Sequence, residues 1–295
     1  MSDPTVPGDP WATPGGSGPW GGPVLVVTPA ELEVLEDAHA RLLDASAHEG
    51  AGDDRRGTTG RPERADRPVA PVAHRPGRPE AVQSLQGRGL IDAEGALATG
   101  APFADLVLVM LDVRVAAEAL IVVERRLAGA EEHPDLRLLH LIAAGGVVED
   151  LHPGGWHGLD LLVDPGRLAE QALAPLLPPD AAAGRGEPVV LDPEDPDAAA
   201  VTLGARLLAE LTLARPGSGT EESVLLAVGD SGCHVAWAPA ASPGDPATAP
   251  AAGEGTASRP APTFAPTSPE ALRGLVREWV SRVVEPVPGP RHAPT

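Results

Sequence analysis

The sequence contains no tyrosine, two phenylalanines, two methionines and one cysteine among its 295 residues. A core made without them has to draw on Leu, Val, Ala and a few of the five tryptophans, and such side chains suit helices packed on a sheet. Aromatic surface for stacking on nucleobases is equally scarce. With Cys233 as the sole cysteine, an intrachain disulfide and an all-thiolate metal site are both excluded. Positive charge is also short, since 22 Lys+Arg stand against 42 Asp+Glu, giving a formal net charge of -20 and a pI of about 4.7. A general phosphate-backbone binder needs a basic footprint, so nucleic acid is disfavoured as a partner. No apolar run approaches the length of a membrane span, and residues 24–27 are too few for a signal core. The expectation is a cytoplasmic protein with no membrane partner.

What the chain has in plenty is Gly (34) and Pro (35), gathered in segments that cannot all be regular elements. Residues 1–22 read as a flexible tail with Trp11 and Trp20 isolated in it. Residues 46–79 lose apolar periodicity and carry Arg55, Arg56, Arg61, Arg64, Arg67, Arg75 and Arg78, which marks a mobile insertion. Residues 240–262 are of low complexity and form a second mobile insertion, and 285–295 form a C-terminal tail. The ordered chain is therefore expected as a first half over 23–179, a linker over 180–198 and a second half over 199–284.

The clearest organisation lies in 136–177. Leu136, Leu138, His140 and Ile142 alternate with Arg137, Leu139 and Leu141, a strand apolar on most of both faces and hence central. Gly145-Gly146 and then 152–155 reverse the chain into two further strands, over 147–151 and 156–163, and connections this short favour an antiparallel meander. Asp164 caps a helix with Pro165 in its first turn and Leu168, Ala169, Ala172, Leu173 and Leu176 on one side, and Pro175 keeps it short or kinks its end.

Before the meander, 23–27 fit an edge strand. Thr28-Pro29-Ala30-Glu31 then forms a capping box, opening a helix with Leu32, Leu35, Ala38 and Leu42 on one face and an end near 43–45. Helical spacing resumes at 80–87 and again from Phe103 to Leu111, and 114–123 read as a strand through alternating Val115, Ala117, Ala119, Ile121 and Val123. After the meander, 199–213 fit a helix through Val201, Leu203, Leu207, Leu208 and Leu211. Residues 223–228 and 233–238 form a hairpin, and a last helix capped at Thr267 or Ser268 presents Leu272, Leu275, Val276, Trp279, Val280 and Val283 to the sheet. The fold class is α+β, an antiparallel sheet with flanking helices in two quasi-symmetric halves.

Several groupings invite a catalytic or metal reading. Gly229-Asp230-Ser231-Gly232 looks like the nucleophile segment of trypsin-like serine proteases, yet Cys233-His234 follows it and no companion histidine motif exists, so a hairpin turn is expected. His133, His140, His152 and His157 lie near one another in sequence, but zinc needs three or four ligands converging at about 2.0–2.3 Å. Glu124, Glu131, Glu132, Glu149 and Asp150 read as solvated carboxylates, Gly145-Gly146 and Gly154-Gly155 as reversals without a phosphate-loop pattern, and Cys233 as a small buried apolar residue. The expectation is no catalytic residue, no metal site and no cofactor.

The helix from Thr28, the Arg88-Gly89-Leu90 segment followed by Asp92 and Gly95, the meander with its terminal helix and the C-terminal hairpin and helix resemble, in that order, the EspG-like proteins of actinobacterial type VII (ESX) secretion. The resemblance spans about 23–284. It implies a two-part α+β arrangement of quasi-twofold character in the cytoplasm. It also implies a non-enzymatic, chaperone-like function whose partners are paired helical secretion substrate proteins. No contact residue carries over. Two alternatives stand beside it: a structural or regulatory α+β protein without a secretion role, and a winged-helix DNA-binding regulator in which Arg88-Gly89-Leu90 precedes the wing.

Overall fold

The computed structural model describes residues 23–50, 77–127, 135–152, 154–190, 196–217, 221–237 and 261–285. The expected N-terminal tail 1–22, residues 286–295 of the expected tail 285–295, residues 51–76 of the first insertion and 240–260 of the second lie outside them, as do His133, Glu131 and Glu132. The chain divides into two compact units, a smaller one of Leu25–Asp112 with Gly155–His157 and a larger one that takes Val113–Gly154 and the residues from Gly158 onward.

The smaller unit begins with strand β1 (Leu25–Val27) and helix α1 (Pro29–Gly50). The capping box forms as expected: the Thr28 amide donates to Glu31 Oε2 at 2.8 Å, and the Glu31 amide donates to Thr28 Oγ1 at 3.2 Å. Leu32, Leu35 and Ala38 are buried, but the helix runs on past its expected end at 43–45 to Gly50. Residues 43–49 hold neither Gly nor Pro, so nothing local stops it. Helix α2 (Arg78–Gly87) follows Gly77, whose φ of 87° is a left-handed conformation open to glycine. Helix α3 (Pro102–Val115) then extends two residues, Arg114 and Val115, into the stretch expected to begin a strand at 114.

The larger unit is built on strands β2 (Ala119–Leu127), β3 (Asp135–Ile142), β4 (Gly145–Leu151), β5 (His157–Leu162), β6 (Val189–Val190), β7 (Ala205–Ala214), β8 (Glu221–Gly229), β9 (Gly232–Trp237) and β10 (Thr263–Thr267). Helices α4 (Pro165–Leu173), α5 (Pro196–Leu203) and α6 (Pro269–Ser281) complete it. The strands lie in the order β5-β4-β3-β2-β7-β8-β9-β10-β6, so the sheet is antiparallel and the class α+β, as expected. β2 and β7 pair at the centre, Leu120 with Ala214 through Leu127 with Leu207. Outward from that pair the strand order is mirrored, β2-β3-β4-β5 on one side and β7-β8-β9-β10 on the other, and in the chain each series is closed by a helix, α4 after β5 and α6 after β10.

The closing helices of the two series start alike. Asp164 accepts from the Arg167 amide at 2.7 Å and Ser268 from the Ala271 amide at 3.0 Å, each with a proline at the first helical position. α4 ends at Leu173, just before Pro175. Both helices pack on one face of the sheet, where Ile121, Leu139, Leu211 and Leu226 meet Leu168, Leu173, Val276 and Trp279 in a single core. Trp279 is fully buried, as the last-helix pattern requires, and Leu275 is packed against the same core.

Two expectations fail in the second series. Residues 199–213 are not one helix: α5 stops at Leu203, Gly204 takes a φ of 58°, and Ala205–Ala214 form β7. The Leu spacing fits either period, and pairing with β2 and β8 on both sides decides for the strand. Gly204 and Gly229 also approach so closely that a Cβ on Gly229 would stand 1.9 Å from the Gly204 carbonyl oxygen. The short strand β6 lies within the expected linker 180–198, and β10 was not foreseen, since Pro266 interrupts any β pattern there.

Candidate functional site

Ser231 sits in the turn between β8 and β9 and donates its hydroxyl to the Leu203 carbonyl, tying the turn to the end of α5. Arg206 pairs with Asp230 at the exposed surface. His234 is fully buried with Nε2 3.2 Å from the Arg185 carbonyl oxygen, so the strand carries it inward to the segment that follows α4. Ser231 and His234 are thus spent on different backbone carbonyls rather than on each other. Cys233 is buried in the core, and burial pushes its thiol above the ordinary range.

Of the residues singled out in the meander, the fold brings two together. His140 on β3 places Nε2 3.0 Å from Glu149 Oε2 on β4, and Arg114 donates from Nε to the same oxygen at 3.0 Å. Glu149 is almost wholly enclosed, and a buried carboxylate needs such partners. Asp150 points to the opposite face, where it holds Arg137. His152 and His157 stay half-buried at the two ends of the β4–β5 connection. Among the described residues no group of three or more His, Cys, Asp or Glu is placed to hold a metal ion. Gly145 and Gly146 serve close approach: a Cβ on Gly145 would lie 2.5 Å from the Leu162 carbonyl oxygen.

Arg88-Gly89-Leu90 is likewise committed inside the smaller unit. Arg88 donates to the Val26 carbonyl at 3.1 Å and stands 3.7 Å from Glu31, whose carboxylate accepts the Ser84 hydroxyl at 2.5 Å. Burial works to raise the Glu31 pKa, but hydrogen bonds from Ser84 and Thr28 and the Arg88 charge outweigh it and hold the carboxyl below the ordinary range. Leu90 is buried, so this turn organises the start of α1 and β1.

The remaining feature is the face of the central strands turned away from α4 and α6. Antiparallel partners share a face, so register alone lays out its rows. Leu120 stands between His140 and Ala214, Val122 between Leu138 and Thr212, and Glu124 between Leu136 and Glu210. Thr212 and Glu210 pair in turn with Ser223 and Leu225. Leu120, Val122, Leu136, Leu138, Leu208 and Leu225 are all partly exposed there. The polar side of the patch is internally bonded: Ser223 donates to Glu210 at 2.6 Å and Arg126 to Glu124 at 2.8 Å. An apolar ladder beside ordered polar groups can bury area against another protein. Apolarity on both faces of β3 was its one sequence signal; which strands flank it depends on long-range pairing.

No family model matches the sequence, and no curated protein matches it. Among solved structures the chain is similar to the type VII secretion system chaperone EspG5 of Mycobacterium tuberculosis, determined in complex with the PE25–PPE41 dimer. The identity is 10%, the TM-score 0.48, and the likeness covers 88% of this chain and 96% of that one.

Proposed function

We propose that the protein is a non-enzymatic, cytoplasmic binding protein that acts as a chaperone-like factor for paired helical substrates of type VII secretion. The observation that carries this reading is the partly exposed ladder of Leu120, Val122, Leu136 and Leu138, set on a sheet whose other face is filled by α4 and α6. A helical partner with an apolar edge would bury that ladder while the bonded polar rows beside it stay solvated. The landmark order from Thr28 to the last helix, which resembles EspG-like proteins, supports the choice of partner. No helix of the described residues is long and apolar enough to cross a membrane, which is compatible with that setting. The DNA-binding alternative loses its main support, because Arg88 is held by Val26 and Glu31 and the chain carries a net charge of -20.

The test is co-expression of the full chain with paired helical candidates encoded beside its gene, followed by co-purification and calorimetry. A stoichiometric complex is the expected result. Failure to bind any of them, together with tight, salt-sensitive binding of duplex DNA, would overturn the proposal in favour of a regulator, and binding to neither would favour a structural role. For the non-enzymatic part, active-site serine probes are expected to leave Ser231 unlabelled, and stoichiometric labelling that disappears in Ser231→Ala would refute it.

A further inference from the structure

We draw no further inference here: the strongest candidate, the Glu124 and Glu210 carboxylates set opposite each other across β2 and β7, is an acidic cluster already met by Arg126 and Ser223, and nothing in the structure shows a ligand that it would hold.

Discussion

The two faces of the central sheet use the same strands and much the same residues, yet they reach different ends. Along β2, Ala119, Ile121, Val123 and Arg125 are buried, whereas Leu120, Val122 and Glu124 between them stay partly exposed. The side chains of β2 do not explain this, since Leu120 and Val122 are as apolar as Ile121 and Val123. The neighbours do. On the core face the rows run on through Leu211, Leu213, Val224 and Leu226 to α4 and α6, while on the other face they turn into Thr212, Glu210 and Ser223. Cross-strand context, more than the hydrophobicity of one strand, decides which face closes.

The core face should break most easily at its largest side chain. Trp279→Ala removes a fully buried indole from between α6 and the sheet and is expected to cost about 3–5 kcal/mol, read as a large fall in the thermal midpoint. An unchanged unfolding curve would show that α6 does not dock as described.

The margin of the same face is polar, and it comes next in size. Arg137 donates to the Gln171 carbonyl at 2.5 Å and to Asp150 Oδ2 at 2.9 Å, while Arg125 donates to the Pro175 carbonyl at 3.1 Å and pairs with Asp135. Two arginines on neighbouring strands thereby satisfy carbonyls in and just beyond the last turn of α4, where positive charge also suits the helix dipole. Breaking a fully buried pair costs about 3–5 kcal/mol, so Asp150→Ala, with its side chain 19% exposed, is expected to cost about 2 kcal/mol in urea unfolding. A loss below about 0.5 kcal/mol would mean the margin is solvated and the two faces differ less than they appear to in burial.

The comparison between the two series sharpens through their caps. Asp164→Ala and Ser268→Ala each remove the acceptor of a helix-opening amide and should each cost about 1 kcal/mol. Similar costs would bear out the mirrored construction; a loss confined to one helix would show that its partner is held by packing alone.

Those caps are legible in the sequence for a simple reason: Asp164-Pro165 and Ser268-Pro269 act within one turn, as does Thr28 with Glu31, although Thr267 competes with Ser268 in the sequence. The reversal expected at Gly145-Gly146 is instead made by Ala143 and Ala144, with both glycines already paired in β4. β7 was not legible. Leu203, Leu207, Leu208 and Leu211 satisfy helical spacing, and only the pairing of Leu207–Leu213 with both β2 and β8 imposes period two. β10 was hidden by Pro266, and β6 is two residues long. The candidate face was less legible still. Leu120, Val122, Leu136 and Leu138 are written in β2 and β3, but Glu210, Thr212, Ser223, Leu208 and Leu225, which complete the face, lie on β7 and β8, some eighty residues further on in the chain, roughly the size of a small domain.

A smaller effect, of opposite sign in the two units, should appear on changing pH. Hydrogen bonds and Arg88 overcome the burial of Glu31 and depress its folded pKa, so its contribution is present above the unfolded value and is lost as pH falls through the folded one. Asp160 on β5 is raised by burial, so its effect favours the fold below the unfolded value and disappears as pH rises through the folded one. Glu31→Gln should therefore destabilise at neutral pH and much less in acid, whereas Asp160→Asn should stabilise at neutral pH. Denaturation midpoints of both variants across the acid range check the signs, and parallel shifts would contradict them.

The smallest expected change in stability belongs to the face on which the proposed function rests, and one pair of adjacent residues isolates it. Val122 and Val123 are neighbours on β2, identical in chemistry and opposite in direction. Val123→Thr puts a hydroxyl into the core against Arg137 and Leu211, and an unsatisfied buried hydroxyl costs about 1–3 kcal/mol. Val122→Thr places the same hydroxyl beside Thr212 on a partly solvated surface, where a change of about 0.5 kcal/mol or less is expected. Affinity for a helical partner should respond in the reverse order, falling for Val122→Thr, and further for Val122→Thr combined with Leu138→Thr, while folded Val123→Thr binds as the parent does. Equal affinity in all three would leave the sheet intact and move the docking surface elsewhere. A Val122→Thr variant as unstable as Val123→Thr would remove the difference between the faces altogether.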